Sequence, residues 1–68
     1  MRINPSTVKR MMGAHLMTQE QLAKAAGVSR ATINSTLLKG SCSTRTAGKI
    51  AEALGVDPAD IIAKEYGA

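Results

Sequence analysis

Residues 18–38 read TQEQLAKAAGVSRATINSTLL, and this stretch constrains the fold more than any other part of the chain. Thr18 is a helix N-cap, and Gln21 three residues on can bond back to the cap backbone to complete a capping box. Met17 and Leu22 flank that cap as a hydrophobic staple. The spacing predicts a helix over 19–26 that buries Leu22, Ala23 and Ala26. The small alanines let another helix approach closely. Gly27 ends the helix as the residue that readily turns left-handed. Ser29 then caps a second helix, 30–38, with Val28 and Ile33 as its staple pair. Ile33 and Leu37, four apart, face inward, and Leu38 is expected to flank them. The opposite side carries Arg30, Ala31, Asn34 and Ser35. Two short helices joined by a tight glycine turn make a helix-turn-helix.

Further caps place the remaining elements. Asn4 with Pro5 at the first helical position opens a helix over 5–15, with Val8, Met11 and Met12 on one stripe. Ser43 caps a helix over 44–54 whose inward stripe is Ala47, Ile50, Ala51 and Leu54, and Gly55 stops it. Asp57, with Pro58 at N1 and Asp60 at N3, opens a fifth helix over 58–64 that buries Ile61 and Ile62. No alternating β-branched run suggests a strand. The expectation is an all-α chain, one domain over 1–68, built as a five-helix bundle with a central helix-turn-helix. With one Tyr and neither Phe nor Trp, its core is aliphatic, and the four Met residues act as adaptable filler.

Cys42 and His15 each stand alone, which excludes an internal disulfide and leaves far short of the about four ligands of structural zinc. Neither metal nor cofactor is expected. Cysteine usage fits a reducing cytoplasm. No apolar run approaches the roughly 18 residues of a membrane span, so no membrane role is expected. Ser29 is explained by its cap, and neither Cys42 nor His15 has a recognisable catalytic partner, so no enzyme is expected.

Charge is uneven. Residues 1–49 carry a net +7 and residues 50–68 a net −3, within an overall +4. A basic body with an acidic end suits a protein that turns one face to a polyanion. In a small basic chain, the second helix of a helix-turn-helix is the natural candidate to enter a DNA major groove. The residue types agree. Arg30 offers a fork for guanine O6 and N7, Asn34 can pair with adenine N6 and N7, and Ala31 suits a thymine methyl. The N–H groups at the starts of the second and fourth helices, beside Gln19 and Arg45, can clamp phosphate.

Thr18 to Ala23, then Ala26-Gly27-Val28-Ser29, Ile33 and Gly40, then Lys49 to Val56 and Asp60-Ile61, form an ordered set. In it the chain resembles the Cro and phage-repressor-like helix-turn-helix family over residues 5–63. The resemblance implies a lambda-repressor-like domain that binds double-stranded operator DNA, often as a symmetric homodimer. It implies a small transcription regulator of a phage or other mobile element. It places Gln19 on phosphate, Arg30, Ala31, Asn34 and Ser35 at base edges, and Lys39, Ser43, Thr44 and Arg45 on phosphate again.

Two departures stand out. Ile33 to Gly40 spans seven steps where the family usually has six, with Thr36 where a large aliphatic often sits. One residue is therefore inserted at the end of the third helix or in its loop. The recognition helix also opens with Arg rather than Gln, so a different base preference is expected. A second class of function stays open: a modulator such as an antirepressor or antitoxin that binds another regulatory protein. Its contact region would be the acidic end, with Asp57, Asp60, Glu65, Ile61, Ile62 and Tyr66.

Overall fold

The computed structural model describes residues 1–63. Among them are four α-helices: α1 (Pro5–Ala14), α2 (Gln19–Ala26), α3 (Arg30–Lys39) and α4 (Thr44–Leu54). A 3₁₀ turn, Pro58–Asp60, follows. The described chain has no strand, only two isolated antiparallel bridges, Arg2 with Ser41 and Ile3 with Ile62.

Each helix begins where a side chain satisfies a backbone N–H that the helix itself leaves unpaired. Asn4 Oδ1 accepts from Thr7 N at 3.2 Å. Thr18 and Gln21 form the full capping box, with bonds of 3.1 and 2.8 Å. Ser29 accepts from Thr32 N at 3.0 Å, and Ser43 from Thr46 N at 3.1 Å. α2, α3 and α4 each end on a left-handed glycine: Gly27, Gly40 and Gly55. α2 packs against both α3 and α4, α1 against α3, and the 3₁₀ turn against α4. Val8, Leu22, Ile33, Ile50, Leu54 and Ile61 are the largest fully buried side chains.

The bounds of α2 and α4 match the cap reading. α1 ends one residue early, with His15 as its C-cap, and α3 runs one residue further, to Lys39. The extra step between Ile33 and Gly40 is thus absorbed by the helix. Thr36 is buried there, and Leu38, expected to flank the core, is 78% exposed.

Among the described residues the fifth helix is not formed. Asp57 Oδ1 accepts from Ala59 N at 2.9 Å, and Asp60 Oδ2 accepts from Asp57 N at 3.3 Å, but only one 3₁₀ turn follows. The reason lies at the other end of the chain. Ile3 is buried, and the backbone around it needs partners. Asn4 N donates to Ile61 O at 2.8 Å, Ala63 N to Arg2 O at 3.1 Å, and Ile3 N to Gly40 O at 3.0 Å. The Ile61 carbonyl and the Ala63 N–H are claimed by these bonds, and a continuing helix would use both groups internally. Lys64, Glu65 and Tyr66, the end of the expected helix and of its contact region, lie outside the described residues.

Gly40 has φ +67°, and the nearest atoms a Cβ built on it would meet are Pro5 Cγ at 3.6 Å and Ile3 O and Pro5 Cδ at 3.8 Å, which is ordinary contact. The cost of a side chain there is therefore conformational. Gly40→Ala is expected to lose about 1–2 kcal/mol, read as a lower urea midpoint at unchanged slope. An unchanged midpoint would show that the α3 cap tolerates another backbone conformation.

Candidate nucleic-acid interface

The outward face of α3 is built by elimination. Ile33, Thr36 and Leu37 turn into the core. Arg30, Ala31 and Asn34 are exposed, and Ser35 is half-buried. Arg30 and Ala31 occupy the first two helical positions, directly after the Ser29 cap. The cap engages Thr32 N, and Ile33 N bonds Ser29 O at 3.2 Å. The start of α3 therefore carries an exposed guanidinium and an exposed methyl group on a helix end fixed by its cap.

A shallow depression of about 470 Å³ runs between this helix and the start of α4. Ala31, Ser35 and Lys39 of α3 line it together with Ser43, the N-cap of α4. It thus joins two residues expected at base edges to two expected on phosphate. Arg30 and Asn34, four apart, stand on the adjoining flank of α3. Arg45 and Thr44 are exposed in the first turn of α4, and Gln19 is half-buried at the first position of α2. None of these three lines the depression.

The helix starts determine what each residue can offer. Ser43 Oγ accepts from Thr46 N and donates its proton to Thr46 Oγ1 at 3.0 Å. Its hydroxyl is thereby committed to the cap. Thr44 and Arg45 occupy the first two positions of α4, whose N–H groups lie ahead of the bonded ones of Thr46 and Ala47. Two such N–H groups at a positive helix end, beside the Arg45 guanidinium, make a seat for an anion.

Sequence reasoning missed the other hydroxyls of the depression. Thr32, Thr36, Ser41 and Thr46 also line it, as does the half-buried Cys42. Burial raises the Cys42 thiol pKa, opposed by the terminal ammonium that donates to its carbonyl at 3.0 Å. Ser29 and Ser43 each sit three residues before a threonine, and that cap spacing was the available signal for Thr32 and Thr46. Among the described residues no group of three or more His, Cys, Asp and Glu is placed to hold a metal ion, and no helix is long and apolar enough to cross a membrane.

A capped helix-turn-helix with a polar outward second helix and an anion seat on the next helix defines a DNA-binding type of domain. Residues 7–65 match the family model of the Cro/C1-type HTH DNA-binding domain, and the chain belongs to that family. No curated protein matches it. Among solved structures it is similar to a mutant of hydroxyethylphosphonate dioxygenase, at 30% identity and a TM-score of 0.82. It is also similar to native PhpD with cadmium atoms, at 31% identity and a TM-score of 0.81. In both cases the match covers 98% of this chain and 15% of the other, so the chain spans about 15% of those proteins.

Proposed function

We propose that the chain is a sequence-specific regulator that binds double-stranded DNA, with α3 in the major groove. Arg30, Ala31, Asn34 and Ser35 face base edges. Gln19, Lys39, Thr44, Arg45 and the backbone at Ser43 hold phosphates on either side. A homodimer assembled on a two-fold operator would place one α3 in each half-site. The chain performs no catalysis of its own in this reading. The dioxygenase activity named for its structural neighbour belongs to that far longer protein. The observation that carries the proposal is the split of α3, with Ile33 and Leu37 sealed in the core and Arg30, Ala31 and Asn34 left to solvent.

The test is a mobility shift on duplexes selected from random sequence, with and without a two-fold repeat, against excess random DNA. Lys39 and Arg45 are the charged phosphate contacts, and two released counterions per chain predict a loss of roughly tenfold in affinity for each bound chain between about 50 and 200 mM salt. Arg45→Ala is expected to weaken selected and random duplexes by the same factor and to flatten the salt slope. A salt-independent affinity, or an unchanged one in R45A, would move the docking face elsewhere. Failure to bind any duplex would favour the protein-binding modulator.

A further inference from the structure

Leu38 is unexplained by the interface as drawn. Its side chain is 78% exposed on a helix whose Leu37 is buried. A lone exposed leucine is ordinary on a protein surface. Its position on α3 makes this one informative. At 3.6 residues per turn, Leu38 falls about 20° from Ala31, about 40° from Asn34 and about 60° from Ser35 around the helix. It stands in the middle of the outward face, among the residues assigned to base edges. Along the axis it lies roughly 6 Å beyond Asn34, the span of about two base-pair steps.

The chemistry narrows what it can read there. A leucine neither donates nor accepts a hydrogen bond, so the polar edges of the bases offer it nothing. The apolar group that base pairs present in the major groove is the C5-methyl of thymine. We propose that Leu38 is a specificity-determining residue that packs on a pyrimidine C5-methyl group. At that step the chain then prefers thymine or 5-methylcytosine to unmethylated cytosine. The inference rests on α3 being the base-reading helix. It adds a contact further along that helix than Asn34 and of opposite polarity. Covering one methyl group is worth about fourfold in affinity.

The experiment starts from the duplex selected above. Each thymine in turn is replaced by deoxyuridine, which lacks only the methyl group. Binding is measured for the parent chain and for Leu38→Ala, after melting curves establish that both are folded. At one thymine of each half-site, the replacement is expected to weaken the parent about fourfold and to leave L38A unchanged. Leu38→Met, still apolar and long, keeps the sensitivity. At the same step, a 5-methylated C·G pair binds the parent more tightly than the unmethylated pair, and L38A binds both alike. A methyl group read by Ala31 would affect both proteins equally and so is told apart. If L38A retains the parent's loss at every thymine, the proposal is overturned. It is equally overturned if L38A instead changes the mass of the chain in solution with methyl sensitivity intact, since Leu38 then serves self-association. A parent chain that selects no sequence at all removes the base-reading helix, and this contact with it.

Discussion

Leu22→Ala and Ile33→Ala are each expected to cost about 2–5 kcal/mol, as deletions of fully buried aliphatic side chains do. Both residues are 0% exposed, one on each helix of the helix-turn-helix, and both belong to the cluster that ties α2 and α3 to α4. At roughly 0.05–0.15 kcal/mol per residue, a chain of 68 residues holds about 3–10 kcal/mol in total. Either deletion therefore removes a large share of the stability, and each variant should be mostly unfolded as the parent approaches its melting range. The surrounding helices cannot easily close the hole, because α2, α3 and α4 each run between a side-chain N-cap and a glycine stop. Leu38→Ala is the control on the same helix. Its side chain is largely in water, so its effect should stay within about 0.5 kcal/mol. Urea melts followed by circular dichroism make the comparison. Cooperative unfolding of L22A or I33A at the parent midpoint would mean that the α2–α3 core is differently packed.

The contrast between Leu37 and Leu38 shows where the sequence was legible and where it was not. α2 and α4 were readable to the residue because each has a cap, an apolar stripe and a terminal glycine in register. α3 has the caps, but its stripe is blurred. It buries a polar Thr36 and exposes an apolar Leu38. Side-chain type alone therefore points Leu38 the wrong way, and only the helical angle corrects it. Asp57-Pro58-Ala59-Asp60 is a sound start signal, and it does nucleate a turn. Nothing local records that Ile61 and Ala63 are claimed by backbone bonds to Asn4 and Arg2. Ile3 was missed for the same reason. Its burial comes from a pairing between distant parts of the chain, and three residues carry no detectable period. At the site, the exposure of Ala31 and Asn34 followed from the inward positions of Ile33 and Leu37, whereas Arg30, about 20° from Leu37 around the helix, is exposed at the first helical position. The depression beside α4 did not, because it forms only when the turn at Gly40 brings the Ser41–Ser43 loop against α3.

Arg30→Ala is expected to cost about 1–3 kcal/mol on the preferred duplex, the worth of one bidentate contact between arginine and guanine. Arg30 is exposed at the first position of α3, so its removal leaves the core untouched. Two readings of this residue make different predictions. As a base contact it contributes only where a guanine is correctly placed. The loss on random DNA is then smaller, and selection with R30A loses its preference at one position in each half-site. As a phosphate contact it contributes everywhere, so the loss is the same on every sequence and the salt slope falls by about 0.9. Asn34→Ala separates the helix further. Asn34 lies about one turn along from Arg30, roughly 6 Å, so it should relax a different position, about two base pairs away. Measuring both variants on the selected duplex, on random duplex and at two salt concentrations distinguishes the two readings. Uniform losses for R30A reassign it to the phosphate set. Unchanged affinity in both variants, with the melting curve of the parent, would take α3 out of the groove and favour the protein-binding alternative.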